Sequence, residues 1–250
     1  MIVHLFRAEF RRYWAELKTY YPDQITSAVI TGIIFMVFIL LNNNHQDPAF
    51  YIGFAYWFLI SSLIGEASES ISMEKQLGTL DQLLLRPAGL EAILVVKTIV
   101  WLVINLVKVV VVIGLLFVIL RFDIGFHPLI LPIFVLTCIG IFGFSLFLAG
   151  LTLKYTKTAS FESIISYLLL FLTGSIVPLT AFPAWLQGVA DFLPITLGIN
   201  ISRQLIDHGT LDISQLFWLV VQSAVYVLIG HLMYRYIYHA SKRSGIDNAY

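Results

Sequence analysis

Charge is scarce in this chain. Asp, Glu, Lys and Arg make up 12% of residues, against 59% hydrophobic. Soluble domains carry charge on about a quarter of their residues, so the polar surface here is too small to cover a water-soluble globule. Formal net charge is zero, which excludes the broad basic field that attracts nucleic acid. There is one cysteine, Cys138, inside an apolar run. That excludes a disulfide within the chain and a cysteine-based metal cluster, and leaves Cys138 as a packing residue. His4, His45, His127, His208, His231 and His239 are scattered, with no tight ligand pair for a metal. No Gly-x-x-x-x-Gly-Lys-[Ser/Thr] occurs, and no Gly-Lys pair at all. The loop that cradles nucleotide phosphates is therefore missing. No internal repeat, linker or composition shift marks a second domain. Asn42-Asn43-Asn44 reads as a short turn. The first twenty or so residues are too polar and acidic for a secretory signal, so the first apolar run is expected to stay in place.

What the chain has is long apolar runs. A helix crossing the hydrocarbon core needs about 20 apolar residues. Candidate spans are 24–41, 50–71, 92–120, 128–153, 160–177 and 214–239. They are continuously apolar rather than alternating, which argues against barrel strands. Helices also satisfy their own backbone in lipid. The expected fold is an all-α integral membrane domain over 1–250 with six transmembrane helices.

Lys and Arg set the orientation. With the N-terminus in the cytoplasm, Arg7, Arg11, Arg12, Lys18, Lys75, Arg86, Lys97, Lys154, Lys157, Arg235, Lys242 and Arg243 fall on that side. Arg121 and Arg203 fall on the other, and Lys108 lies inside the third span. Both termini are thus expected to be cytoplasmic.

Before the first span, Val3, Phe6, Phe10, Trp14 and Leu17 recur at helical spacing, and the basic residues lie mostly opposite. This predicts an amphipathic helix over 2–21 in the cytoplasmic headgroup layer; the alternative is a helix packed on protein. Tyr13, Trp14, Tyr20 and Tyr21 suit an interfacial aromatic belt, and Pro22 ends that helix. Between the last two spans, 178–206 is largely apolar but interrupted by prolines and by Gly188 and Gly198. It reads as two short helices dipping into the outer leaflet, where irregular backbone needs protein cover.

Several polar groups lie in or near the bilayer. Glu66 and Glu69 share a face at the inner end of the second span, among serines. They can relay protons or bind a cation, or simply pair with Lys97, Lys154 or Lys157. Glu162 has the same structural reading. Lys108 sits about 24 Å into the third span at helical rise, where a lysine costs about 2.5–3.5 kcal/mol. Either it snorkels to the outer interface, or it joins Asn105 in a polar patch on a pathway.

The most specific segment is Glu74-Lys75-Gln76-Leu77-Gly78-Thr79-Leu80-Asp81-Gln82-Leu83-Leu84-Leu85-Arg86-Pro87. On helical spacing, Lys75, Thr79, Gln82 and Arg86 share one side, and Leu77, Leu80 and Leu84 another. Such a helix could dock a soluble partner with its polar face, or lie on the headgroups. The pattern Glu74-Lys75-x-x-Gly78-Thr79-Leu80-Asp81-Gln82-Leu83 followed by Arg86-Pro87 resembles the cytoplasmic signature of ABC type-2 exporter permeases. The resemblance covers nearly the whole chain: an N-terminal interface helix, six spans and a proline-broken outer segment before the last.

The resemblance implies a transmembrane permease subunit of an ATP-driven exporter, moving a hydrophobic or amphiphilic substrate (drug, antibiotic, peptide or lipid) out of the cytoplasm or inner leaflet. It implies no catalysis on this chain. ATP and Mg would sit on a separate ABC ATPase subunit, and a second permease copy or paralogue would complete the transporter. The setting would be a cell membrane, bacterial or archaeal, with lipid as neighbour and no nucleic acid. Glu74, Lys75, Gly78, Thr79, Asp81, Gln82, Arg86 and Pro87 would form the coupling region. Charged members would make charge-assisted contacts to the motor, and Gly78 would let the partner backbone approach. The outer segment, with Pro178, Phe182, Pro183 and Pro194, would help close the pathway. Two other classes are weighed beside it. An ion-coupled carrier would use Glu66, Glu69 and Lys108, but no inverted repeat is visible. An intramembrane hydrolase would use Ser145 with His231; the Gly-x-Ser-x-Gly elbow is absent, and Ser145 beside Gly140 and Gly143 suits close helix packing.

Overall fold

The computed structural model describes residues 2–41, 48–80, 82, 89–120, 127–155, 159–175 and 179–244, with no strand among them. Among the described residues the bounded helices are α1 (Ile2–Thr19), α2 (Tyr21–Leu41), α3 (Pro48–Gln76), α4 (Gly89–Leu120), α5 (Ile130–Lys154), α6 (Ala159–Leu172), α7 (Ala184–Asp191), α8 (Pro194–His208) and α9 (Ile213–Ser244), and Leu80 and Gln82 are helical as well. A single 3₁₀ turn, Leu179–Ala181, precedes α7. Each apolar run expected to span is helical over most of its described residues. Among the described residues, two helices are long and apolar enough to cross a membrane, Ile130–Lys154 and Ile213–Ala240. Shorter apolar helical stretches lie at Ala28–Val37, Ala92–Val107 and Phe161–Leu172.

The chain divides into two compact units. The first comprises Met1–Pro48 and Leu84–Gly125, the second Ala49–Leu83 and Phe126–Tyr250. In the first unit α4 packs against both α1 and α2. The chain bends at Tyr20, and Pro22 sits in the first turn of α2, where its missing N–H costs nothing. On α1, Phe6 stacks on Phe10 and Phe10 on Trp14, each pair with ring centroids 6.3 Å apart. Lys18 lies over the Trp14 ring at 5.7 Å. This aromatic ladder is solvent-exposed, whereas Glu9 on another face is buried and 3.6 Å from Arg12. So α1 packs on protein with one face and still presents the aromatic face expected of an interface helix.

The core of the second unit is the α5–α9 pair. Small residues let the two backbones meet. A Cβ on Gly143 would strike the main chain of Tyr226 and Val227, and one on Gly230 would strike the main chain of Gly143. Helix association in lipid has no water-driven hydrophobic force and relies on such close packing. Ser223 donates to the Leu136 carbonyl at 3.1 Å, and Gly150 faces the Cα of Tyr234. On α9 the contact face repeats as Leu219, Ser223, Gly230 and Tyr234, all buried, while Phe217, Trp218, Leu228, Leu232 and Tyr236 point outward. Helix α3 joins this pair through Ser145, whose hydroxyl lies 3.1 Å from the Leu63 carbonyl and 3.2 Å from that of Ile141. Tyr56 on α3 meets Ser202 on α8 at 2.7 Å.

One expected boundary differs. The 160–177 span stops early: α6 ends at Leu172, after 14 residues or about 21 Å, less than an average hydrocarbon core of about 30 Å, a mismatch that local thinning of the bilayer accommodates. The Thr173 hydroxyl turns back to the Leu169 carbonyl at 2.6 Å. Gly174 then adopts φ +75°, a left-handed conformation that ends the helix. Two short helices, α7 and α8, lie within the 178–206 segment. Leu193 is extended and Pro194 opens α8, the position where proline is best tolerated.

Candidate functional site

The coupling signature begins inside α3, and after a turn Leu80 and Gln82 are again helical. Glu74, Lys75 and Gln76 are the last turn of α3. Gly78 has φ +66°. The Thr79 N–H returns to the Glu74 carbonyl at 2.9 Å, and the Gly78 N–H to that of Lys75 at 3.0 Å. This pair of bonds is the Schellman closure, which needs a left-handed residue at the position Gly78 holds. The Thr79 hydroxyl also donates to the Glu74 carboxylate at 2.6 Å, tying the turn from the side-chain side. Helical phase therefore breaks at Gly78, and the single helix expected over 74–87 is corrected.

The break redistributes the faces. Lys75, expected on the outward polar side, is buried, and its ammonium donates to the Leu153 carbonyl at 2.7 Å. It caps the C-terminal end of α5, where orphan carbonyls and the negative end of the helix dipole favour a cation. Leu77, expected to pack inward, is 68% exposed, and Leu80 is buried at 5%. Met73, Gln76, Gly78 and Gln82 are exposed beside Leu77. Asp81, Arg86 and Pro87 lie outside the described residues, as does Pro178. What stands free at the end of α3 is a rigid turn with an apolar tip.

The same helix lines a groove of about 820 Å³ against α6. From α3 come Trp57, Phe58, Ser61, Ser62, Gly65, Ser68, Glu69, Ser72, Met73 and Gln76, and from α6 Glu162, Ser163, Ser166 and Tyr167. The α3 positions recur at three- and four-residue steps, one face of a helix over about 28 Å. Its mouth therefore includes Met73 and Gln76, the residues flanking the coupling turn. Trp57 is held by its indole N–H, which donates to the Ser166 carbonyl at 2.9 Å. The Ser61 and Ser68 hydroxyl oxygens are buried with no hydrogen-bond partner. The serines around Glu69 were visible in the sequence. Their convergence with Glu162 and Ser166 of α6 was not, because it depends on which helix packs on α3.

Chain and family agree on the coarse picture. One family profile, described as ABC-2 type transporter, matches residues 2–206. The chain belongs to the ABC-2 type transporter family. It is an all-helical membrane domain of that family, a transport subunit rather than an enzyme. None of the curated proteins compared with it matches.

The remaining candidate residues of this ABC-2 domain distribute as follows. Asn105 donates to the Trp101 carbonyl of its own helix at 3.0 Å; the side chains of Lys108 and Glu66 lie outside the described set. Phe182 accepts from Gln187 at 2.8 Å through its carbonyl, and Pro183 is the residue before α7. Pro194 is buried against Gly140, within 3.1 Å of where a Cβ would stand. Arg203, which the sequence placed only as an outer cation, donates to the Ser175 carbonyl at 3.2 Å. It ties α8 to the chain leaving α6, much as Lys75 ties α3 to α5. Ser145 is fully buried and donates its proton to backbone carbonyls. That removes it as a nucleophile and leaves the close-packing role. Among the described residues no group of His, Cys, Asp and Glu could hold a metal.

Proposed function

We propose that this chain is the permease of an ATP-driven exporter, with six spans, both termini in the cytoplasm and a second permease copy or paralogue completing the pathway. A separate ABC ATPase subunit holds ATP and Mg and pushes on the turn at the end of α3. The supporting observation is continuity: one helix carries the exposed turn at its end and lines the polar groove along its side. A displacement of the turn therefore moves the groove wall as a rigid body. The cargo is amphiphilic, since the groove has aromatic residues at one end and serines and carboxylates along its length. The helices α7 and α8 close the outer side, and α1 lies in the inner headgroup layer with its aromatic ladder in lipid.

The contact to the ATPase centres on Leu77, with Met73, Gln76, Gly78 and Gln82 around it; Asp81, Arg86 and Pro87 complete it. The test is co-purification with candidate ATPase subunits, followed by ATPase assays in proteoliposomes. Leu77→Glu leaves the fold intact, because the side chain is exposed, yet lowers transport-coupled hydrolysis at least tenfold. An unchanged coupled rate would remove the turn from the contact. An ion-coupled carrier is the second reading, favoured by Glu69 and Glu162 in the groove. Transport that follows an ion gradient without any ATPase subunit would establish it instead.

A further inference from the structure

We propose that the α3–α6 groove has a single mouth, at the coupling turn, and that Trp57 is the latch of its closed end. The indole must leave the Ser166 carbonyl before anything in the groove can pass to the other side. The role in export rests on the permease reading; the one-sided access does not.

Exposure along α3 carries the argument. At the turn end, Glu69, Met73 and Gln76 border the groove and are exposed. Half-buried residues follow, from Gly65 through Ser62 to Trp57. Beyond Trp57 no described residue of α3 lines the groove, although the helix begins at Pro48. Helix α6 faces only the closed half. Its lining residues run from Glu162, opposite Gly65, to Ser166 and Tyr167, beside Trp57. Toward the turn the described lining residues belong to α3 alone, so the groove widens there.

The closed end is packed. Phe54 is buried, and its ring centroid lies 5.6 Å from that of Trp57 and 6.4 Å from that of Phe58. One turn further out, a Cβ on Gly53 would strike the Ser175 carbonyl. That same carbonyl accepts from Arg203 of α8, so α8 joins the seal. Thr173 and Ser175, both fully buried, share a hydrogen bond of 2.7 Å. Interiors packed to this density leave no gap for a solute. Within the seal one contact is suited to release. The Trp57 indole has a single donor, and its bond to Ser166, 2.9 Å long, crosses from α3 to α6. A neutral bond of this kind is worth about 0.5–1.5 kcal/mol net, little enough to break in each cycle. While it holds, the bulk of the indole fills the space between the two helices.

The test is the side from which a charged, membrane-impermeant methanethiosulfonate reaches the groove. The buried Cys138 is replaced by Ala in the full chain, and single cysteines are placed as Ser62→Cys, Ser72→Cys or Leu77→Cys. Each is treated in intact spheroplasts and in inverted vesicles of the expressing bacterial cells. Leu77→Cys, exposed at the turn, marks the side on which the turn lies. Ser72→Cys and Ser62→Cys are expected to react from that side only. Trp57→Phe keeps a ring but loses the donor, and should speed reaction of Ser62→Cys from the opposite side about two- to tenfold, the loss of one hydrogen bond. Trp57→Ala should speed it further, and Trp218→Ala, exposed on α9, not at all. With Trp57 intact, reaction of Ser62→Cys from both sides, or protection from both, overturns the proposal. So does the lack of any gain in the Trp57 variants. Variants are compared only when their elution and thermal unfolding match the parent; should Trp57→Ala fail that check, Trp57→Phe decides. A second arm traps the complex with its ATPase subunit using ATP and vanadate, which is expected to move the reaction of Ser62→Cys to the opposite side. If no ATPase subunit assembles, or trapping leaves the sidedness as it was, the one-sided groove stands and its role in export falls.

Discussion

At the scale of single residues, the turn after α3 makes two separable predictions. Gly78 holds a positive φ, and a Cβ added there would meet nothing within 4 Å, so a substitution feels backbone strain and no clash. Gly78→Ala is expected to destabilise by about 1–2 kcal/mol, and Gly78→Asn by less, because asparagine tolerates that conformation. Thermal unfolding in detergent, read side by side, checks the order; equal losses would mean that strain is not the cause. Lys75→Met keeps the buried stem and loses the bond to Leu153, an interaction of a charged donor worth about 1.5–3 kcal/mol. Its effect should appear as lower stability with faster amide exchange around Leu153, whereas Leu77→Glu should affect coupling alone. Reversing those two phenotypes would restore the sequence-based assignment of faces. That assignment failed for a definite reason. Periodicity places residues on faces only while φ stays in the right-handed region, and a single glycine at φ +66° resets the phase. The signature Glu74-Lys75-x-x-Gly78-Thr79 was legible as a motif. Which of its members face the protein and which face outward was not.

At the scale of elements, hydropathy located the helices and misjudged where α6 stops. Apolar residues return at Ile176 and Val177, but Thr173 and Gly174 have already ended the helix through a local hydrogen bond and a left-handed residue. Pro183 precedes α7 and Pro194 opens α8. The α5–α9 contact was only hinted at by Gly140, Gly143 and Ser145; the partner glycine, Gly230, lies in a helix whose sequence gives no periodic signal. Glycines in helices therefore sort into two kinds. Gly230→Ala places a methyl into the backbone of Gly143 and is expected to abolish a monodisperse product on size-exclusion chromatography. Gly188→Ala, on α7 with open space around it, is expected to be neutral or to stabilise by up to about 1 kcal/mol. Similar behaviour of the two would show that the α5–α9 crossing is looser than it stands here.

At the scale of the whole molecule, composition alone established a helical membrane domain, and the family match over 2–206 agrees. The groove could not be seen at that level. Its α3 face is present in the sequence as Ser61, Ser68, Glu69 and Ser72, yet a polar stripe on a span fits a channel, a partner helix or a lipid head group equally well. Glu162 and Tyr167 become relevant only when α6 is laid against it. The proposed function rests on that pairing, and so does the prediction that the transport phenotype of groove variants and the coupling phenotype of Leu77→Glu are distinct. Groove variants should change which compounds stimulate hydrolysis, and Leu77→Glu should depress hydrolysis for all of them, as a panel of cationic and neutral amphiphiles in reconstituted vesicles will show.

The meeting of Gly143 with Gly230 bears on how such a machine can move. Two rods whose main chains already touch have no slack left, so neither can slide or roll past the other without parting altogether. They make a fixed post. Any stroke delivered at the tip of α3 then acts on the wall formed with α6 and is not dissipated through the bundle.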